Sequence, residues 1–244
     1  VYEGDPLNNL LYAKSIDNIK SLRIFKNVKT EIKEGSNSNL KVVDIIVEEQ
    51  PTGEISLLAG VGTTGKTVGG GIIEKNFLGK GINLETNLEV SEETIKGKFV
   101  YSKPNFAYTD NTLFTSIKAT TSDFLADSGY KVKETGFSLG TTYEQYENLF
   151  FSPEISLAIE DLETDSTASI QRKKQEGTYE DFYFNYGLNY DLRDSSYRPT
   201  SGNNTSFYQQ LPVISGNNEI SNTFIHTKYK KLNQSSNMIG KASL

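Results

Sequence analysis

Cysteine and tryptophan are absent from the 244-residue sequence, and histidine occurs once. Without cysteine, the chain can form no disulfide framework, thiolate metal site or cysteine nucleophile. With His226 as the single histidine, a metal cluster of several histidines is excluded, and a Ser-His-Asp triad would have to use this one residue. We therefore expect no cofactor, no metal and no enzymatic activity, and we predict that His226 is a strand residue with a hydrogen-bonded ring.

Long apolar runs and a strong charge of one sign are also missing. The 31 acidic and 25 basic residues give a net charge of −6, which offers no general attraction to nucleic acid. No stretch approaches the ~20 apolar residues of a membrane-spanning helix. A transmembrane β-barrel is still compatible with the sequence. Its strands alternate apolar and polar residues, so such a protein needs only a moderate hydrophobic content, and this chain has 36%.

Helical periodicity is confined to the first part of the chain. Apolar residues recur at helical spacing between Leu10 and Leu22, after a candidate N-cap at Asn8 or Asn9. This spacing predicts a helix over residues 8–21.

Two short strands are predicted after this helix, over Ile24–Ile32 and Leu40–Glu48, with the turn-rich segment 34–39 between them. One helix and one hairpin bury too little surface for a stable domain, so we expect this module to be incomplete.

From Glu54 onward, apolar and polar residues alternate in segments of about 9–13 residues, which suits tilted membrane strands. The alternation is strict over Ile82–Val90, and it recurs with aromatic residues over 182–193. Weaker versions are Leu113/Thr115/Ile117/Ala119, Phe137/Leu139/Thr141/Tyr143, Ile155/Leu157/Ile159 and Ile225/Thr227/Tyr229. We count about ten strands, with an eleventh beginning near Met238.

Alternation also fits a soluble β-sandwich, whose strands present apolar residues to one side. The strand length and the polar second face, rich in glycine and asparagine, favour a barrel with a hydrated interior. Tight and longer polar connections alternate along the chain, as expected if the two rims of a barrel differ. The charged run 171–176 is predicted to be part of a solvated loop.

Residues Gly60–Thr67 match the P-loop pattern G-x-x-x-x-G-K-[ST]. A P-loop requires a helix to begin at Lys66, but Gly69, Gly70 and Gly71 follow, and each costs about 1 kcal/mol relative to alanine in a helix. We therefore interpret the segment as a hairpin with its loop at Thr63–Lys66, and a nucleotide-binding protein is the least favoured function. Asp191, Arg193 and Asp194 are likewise interpreted as a salt-bridged strand end and turn rather than an acid–base site.

Three parts of the sequence together resemble the BamA-type outer-membrane β-barrel assembly proteins. Residues 15–28 are similar to the second helix and following strand of the last periplasmic POTRA domain, and 47–53 to its exit into the barrel. Residues 54–81 resemble the first barrel hairpin with its periplasmic turn, and 190–202 a turn of the mid-barrel.

The resemblance implies a mainly β fold, an antiparallel transmembrane β-barrel of which about ten to eleven strands are present, preceded by a partial α+β POTRA module. Residues 1–50 would be the C-terminal part of the last POTRA domain, in the periplasm. Residues 51–244 would be the N-terminal part of the barrel, in the outer membrane. The chain is expected to be an internal fragment, without the closing strand and without the family's lumenal loop bearing an Arg-Gly-Phe-like tripeptide.

The function implied by the resemblance is the ATP-independent folding and insertion of other β-barrel proteins. Partners would be nascent outer-membrane β-barrel proteins, assembly-complex lipoproteins and the lipid bilayer. The first barrel strand would pair with client strands through Glu54, Ile55, Ser56, Leu57, Leu58, Ala59, Gly60, Val61 and Gly62. The POTRA core would contain Phe25 and Val28, and the barrel turn motif Asp191, Arg193, Asp194, Pro199 and Gly202.

The alternative is a secretion or translocation pore of the same superfamily, of the two-partner type. A passive porin is disfavoured, because a helix and hairpin precede the barrel strands.

Overall fold

The computed structural model describes residues 4, 6–37, 40–62, 65–195, 199–216, 219–232 and 239–244. The chain begins with helix α1 and the hairpin β1–β2, and eleven further strands follow. The bounds are α1 Asn9–Ser21, β1 Phe25–Glu34, β2 Lys41–Glu49, β3 Gly53–Gly62, β4 Gly65–Phe77, β5 Ile82–Ser91, β6 Thr94–Lys103, β7 Thr112–Phe124, α2 Leu125–Ser128, β8 Tyr130–Tyr146, β9 Leu149–Thr164, α3 Ile170–Lys174, β10 Gly177–Asp191, β11 Gly202–Ile214, β12 Ser221–Lys231 and β13 Ile239–Ser243, with a 3₁₀ turn at Phe106–Tyr108.

The predicted N-terminal helix is confirmed. The Asn8 side chain accepts hydrogen bonds from the backbone N–H groups of Leu10 and Leu11, at 2.9 and 3.3 Å, which caps the first turn of α1. The helix ends before Arg23, whose φ of 57° lies in the left-handed region and turns the chain into β1.

The two predicted strands of the N-terminal module are also confirmed, as the antiparallel hairpin β1–β2. No described residue between positions 6 and 50 is buried, and Leu10 is 82% exposed. The module therefore has no core of its own within the described residues.

The remaining strands form one antiparallel sheet in which each strand pairs with its neighbours in the sequence, from β3 to β13. The predicted strand count is confirmed, although Met238, near which the last strand was expected to begin, lies outside the described residues. Among the described residues, β3 and β13 each have a strand on one side only, so the sheet is open at both edges.

Pairing of the strands separates the side chains into an apolar face and a polar face. One continuous row of directly paired residues on the apolar face is Ile55, Ile72, Thr86, Phe99, Ile117, Phe137, Leu157 and Phe182. The adjacent row on the polar face is Ser56, Gly71, Asn87, Lys98, Lys118, Gly136, Ala158 and Asp181. Strict alternation in the sequence therefore becomes two chemically distinct surfaces.

The apolar face is the exposed one. Phe137 and Leu157 on it are 43% and 50% exposed, whereas Ser138 and Asn185 on the polar face are 9% and 1% exposed. A soluble sandwich buries its apolar residues, so this inverted pattern is typical of a barrel that faces lipid outside and water inside.

One predicted face assignment is wrong. In β12, the residues Ile225, Thr227 and Tyr229 were expected on the apolar face, but they lie opposite Ser206, Asn204 and Gly202 on the polar face. Apolar residues stand at both of the adjacent positions 224 and 225, so alternation alone could not assign the faces of this strand.

The predicted environment of His226 is confirmed. It lies on the apolar face of β12, and its ring nitrogen Nδ1 is 2.9 Å from the Thr205 hydroxyl.

The expected contrast between the two rims holds only in part. A two-residue connection joins β8 to β9 at one rim, and another joins β5 to β6 at the opposite rim. The charged run 171–176 is exposed, as predicted, but it is not irregular. It contains most of α3, and the Arg172 guanidinium lies 4.5 Å from the centre of the Tyr130 ring.

In the described part of the chain, no helix has the length and apolar character needed to cross a membrane.

Candidate strand-pairing site

Strand β3 is the candidate functional site suggested by the sequence. Its ten residues pair with β4 from Gly53↔Glu74 to Gly62↔Gly65 without a bulge. No described strand pairs with its other edge. Along that edge, the backbone N–H and C=O groups that point away from β4 are available to another strand.

Every residue of β3 is exposed, which distinguishes it from the interior strands. Ile55, Leu57 and Val61 on the apolar face are 80%, 89% and 83% exposed. On the polar face, Leu58 is 56% exposed. The free edge of β3 thus combines unpaired backbone with apolar side chains that nothing in the described structure covers.

Glycines on the two strands of this hairpin have different surroundings. At Gly60 and Gly62, a Cβ atom would meet no atom within 4 Å, and neither residue has a positive φ. At Gly71 on β4, a Cβ atom would lie 2.2 Å from Asn87 Oδ1 and 2.9 Å from Ser56 Oγ. A Cβ atom at position 71 would therefore force the side chains of Asn87 and Ser56 to move, whereas positions 60 and 62 have open space.

The start of β3 is fastened to β4 by polar side chains. The Thr52 hydroxyl donates to the Glu74 carboxylate, and Lys75 forms an ion pair with Glu54. Glu74 also accepts a hydrogen bond of 2.8 Å from the backbone N–H of Asn76. These contacts anchor one end of β3, whereas its far end carries the unpacked glycines.

Sequence reasoning missed this anchor, although a signal for it existed. In the register that pairs Gly62 with Gly65, Lys75 is a diagonal neighbour of Glu54 on the same face.

The P-loop interpretation is excluded by the backbone. Lys66 pairs with Val61 within the β3–β4 hairpin, and its N–H donates to the Glu92 carboxylate at 3.3 Å. No helix begins there, so the amides that would bind phosphate belong to a β-ladder instead. The predicted hairpin is confirmed, but Gly65 and Lys66, which were expected in its loop, belong to β4, and Thr63 and Thr64 lie outside the described residues.

The turn motif after β10 is a salt-bridged turn, as predicted. Arg193 donates from Nε and Nη2 to the two oxygens of Asp191, at 2.7 and 2.6 Å. This bidentate contact is the main reason why the pKa of Arg193 is raised above its ordinary value.

Asp194 closes the same turn with its carboxylate. It accepts hydrogen bonds from the backbone N–H groups of Ser195, Thr200 and Ser201, at 3.1, 2.9 and 3.1 Å, and from the Thr200 hydroxyl. Burial alone would raise the pKa of Asp194, but the hydrogen bonds outweigh burial and hold this pKa below its usual value.

Pro199 and Gly202 complete the turn. Pro199 is half-buried within it, and Gly202 begins β11 with a φ of 94°. A Cβ atom at Gly202 would lie 2.1 Å from the carbonyl oxygen of Leu192, so only glycine fits here.

Residues of the N-terminal module and of the start of β3 line a common cleft, which includes Val28, Glu54 and Lys75. Phe25 and Val28, the predicted core residues, are half-buried rather than buried. Gln50 links the end of the module to the segment between α1 and β1. Its side-chain amide donates to the Arg23 carbonyl at 3.0 Å, and its backbone N–H donates to the Ile24 carbonyl at 3.2 Å.

Within the described ranges, no group of three or more Asp, Glu or His side chains is arranged to hold a metal ion.

Residues 76–244 match the Omp85 superfamily domain.

Solved structures with the same fold include BamA from Haemophilus ducreyi lacking POTRA domains 1–3, with a TM-score of 0.67 and 21% identity over 96% of this chain and 48% of that chain. CdiB from Escherichia coli has a TM-score of 0.62 and 14% identity over 95% and 47% of the two chains. CdiB from Acinetobacter baumannii has a TM-score of 0.56 and 12% identity over 94% and 45%. The chain therefore spans about half the length of these proteins.

Proposed function

This chain belongs to the Omp85 superfamily, and on that basis we propose that it is part of an outer-membrane assembly factor that folds and inserts β-barrel proteins. Residues 51–244 form the first part of its barrel in the outer membrane. Residues 1–50 form the end of the preceding POTRA domain in the periplasm, with Phe25 and Val28 in its core. Nascent outer-membrane proteins are the clients, and assembly-complex lipoproteins are the partners of the periplasmic part.

The observation that carries this proposal is the free edge of β3. All ten residues of the strand are exposed, and the described sheet ends there. A strand in hydrocarbon cannot leave its amides and carbonyls unpaired, since each unsatisfied group costs several kcal/mol. An incoming client strand therefore gains most from a preformed edge of membrane-spanning length, which supports a role of β3 as a template.

Face matching sets the chemistry of the client strand. A strand added to β3 continues both faces of the sheet, so its apolar side chains must align with Ile55, Leu57 and Val61. Its polar or small side chains must then align with Ser56 and Gly60. A shift by one residue would place every client side chain on the wrong face, so the template selects alternating sequences in one phase.

A secretion pore of the same superfamily is the alternative. Sequence identities of 14–21% to BamA of H. ducreyi and CdiB of E. coli indicate the fold alone and do not separate these functions. A free first-strand edge serves templating directly, whereas a pore that passes one extended substrate through its lumen does not need it.

The test is disulfide crosslinking between Ser56→Cys in the full-length protein and a client with a cysteine in its last strand. We expect a crosslink, because Ser56 lies in the middle of the exposed edge strand. The matched control is Ser116→Cys, a serine on the same face of the interior strand β7, which has strands on both sides. Failure of every position from 55 to 61 to crosslink would exclude the template role.

A further inference from the structure

A second concave site lies on the polar face, away from β3. It spans β7 to β11 and encloses about 410 Å³. Its floor is made of small residues on the central strands, namely Ser116, Gly136, Ser138, Ser156 and Ala158. Longer side chains surround the floor, namely Lys118, Glu134, Glu160, Asp181, Tyr183, Tyr208 and Gln210. This change from small to long residues makes the site a pocket rather than a flat part of the sheet.

Carboxylates outnumber cations in this pocket. Glu134, Glu154, Glu160 and Asp181 line it together with one lysine, Lys118. Lys118 forms an ion pair of 2.5 Å with Glu134, and its side chain lies so close over Gly136 that a Cβ atom there would be 2.5 Å from Lys118 Cε. The positive charge of Lys118 is therefore already paired with Glu134.

The remaining three carboxylates lack such a contact. Glu160 lies directly opposite Glu134 in the β8–β9 pairing, a like-charge arrangement that is unfavourable by itself. Lys98 on β6, three strands away from β9, acts on Glu154 electrostatically. Among the described residues, however, no lysine or arginine forms an ion pair with Glu154, Glu160 or Asp181.

Asn185 supplies an independent observation in the same pocket. Its side chain is 1% exposed, and its amide nitrogen donates to Glu154 at 3.0 Å and to Ser156 at 2.9 Å. The contact with Glu154 fixes the orientation of the amide, because an ionised carboxylate accepts hydrogen bonds and cannot donate them. Its carbonyl oxygen Oδ1 then has no hydrogen-bond partner among the described residues. A buried acceptor of this kind indicates a missing donor.

We propose that this pocket binds an organic cation with several N–H donors, either an arginine side chain of a polypeptide that lies against the polar face or a free polyamine. Such a group carries positive charge to Glu154, Glu160 and Asp181 and brings donors to the region of the Asn185 carbonyl. A guanidinium or a polyamine can serve several acceptors at once, which a single monovalent ion cannot do with directed hydrogen bonds. The proposal does not depend on the pairing role of β3.

Isothermal titration of the full-length protein in detergent micelles tests this site. The probes are spermidine and the peptide acetyl-Gly-Arg-Gly-amide, with acetyl-Gly-Gln-Gly-amide as the uncharged reference. We expect saturable binding of at least one cationic probe. In Glu154→Gln, which keeps the bond from Asn185, affinity should fall about tenfold, as for loss of a charged hydrogen-bond partner.

The matched control is Glu89→Gln, a carboxylate on the polar face of β5 outside the pocket. Its affinity should stay as in the unaltered protein. Tighter binding of the peptide would assign the pocket to a polypeptide arginine, and tighter binding of spermidine to a free polyamine. The proposal is overturned if neither cation binds, or if Glu154→Gln and Glu89→Gln bind alike.

Discussion

Glycine at single positions serves two different purposes in this sheet. Gly202 has a φ of 94°, and a Cβ atom there would collide with backbone atoms of Leu192 and Arg193. Gly60 has neither a positive φ nor any atom within 4 Å of a Cβ position. The first glycine is required by geometry, and the second leaves the strand weakly packed without being needed for the fold.

We therefore expect Gly202→Ala to destabilise the barrel by about 1–3 kcal/mol, the usual cost of a strained backbone conformation. Gly60→Ala should be neutral or stabilising by up to about 1 kcal/mol, because the unfolded chain has less conformational entropy with alanine than with glycine. Urea unfolding followed by circular dichroism measures both variants. If Gly60→Ala lost as much stability as Gly202→Ala, the conclusion that Gly60 has free space around it would be wrong.

Asp194 makes the turn after β10 sensitive to acid. Because its pKa is lowered in the folded state, the ionised form stabilises the turn above the pKa of an unfolded aspartate, about 3.9. This contribution is lost as the pH falls through the lower folded-state pKa. The side chain is exposed, so we expect a local rather than a global effect.

Hydrogen exchange of the Thr200 and Ser201 amides measures this effect. Protection, corrected for intrinsic exchange, should decrease between pH 6 and pH 2.5. In Asp194→Asn it should not change with pH, because an amide does not titrate. If protection of these amides in the unaltered protein did not depend on pH, the Asp194 carboxylate would not be what stabilises the turn.

At the scale of elements, the hairpin β3–β4 is fixed at one end and loosely packed at the other. Thr52, Glu54 and Lys75 fasten the start of β3. Gly60 and Gly62 weaken the packing near its far end. This polarity favours an edge that opens from the far end while its start stays in register.

The double substitution Gly60→Val and Gly62→Val tests this polarity. Valine has space at both positions and favours strands, so we expect slower amide exchange in β4 and slower client insertion. The control is Gly97→Val on the interior strand β6, where a Cβ atom also meets nothing within 4 Å. Insertion unchanged by the double substitution, or slowed equally by the control, would argue against an opening edge.

Much of the element structure could be predicted from the sequence. Helix α1 has a clear cap at Asn8, and the strands around Ile82–Val90 alternate without interruption. Strand β12 shows the limit, because Phe224 and Ile225 are adjacent and its faces depend on pairing with β11. The anchor of β3 follows only from the register of the β3–β4 hairpin, and the pocket around Asn185 depends on contacts across five strands, which no local pattern encodes.

At the scale of the whole molecule, the N-terminal module and the large sheet differ in how they are stabilised. The sheet is held by continuous pairing of eleven strands, whereas the module has no buried residue among those described between 6 and 50. A helix with one hairpin is below the size that folds independently.

Residues 1–50 alone should therefore show no cooperative thermal transition in circular dichroism. The control is a longer segment of the full-length protein that adds the preceding residues, which should restore a cooperative transition if these complete a POTRA domain. A cooperative transition in residues 1–50 alone would show that the module is already complete.

A cysteine scan tests whether β3 is a pairing template. Single cysteines at positions 55 to 61 of the full-length protein are each combined with single cysteines along the last strand of a client during insertion. If β3 is the template, crosslinks form in one constant register, with positions 55, 57, 59 and 61 linking only to lipid-facing client residues and positions 56, 58 and 60 only to the opposite face. Crosslinks without a register, or none from any of these positions, would contradict it.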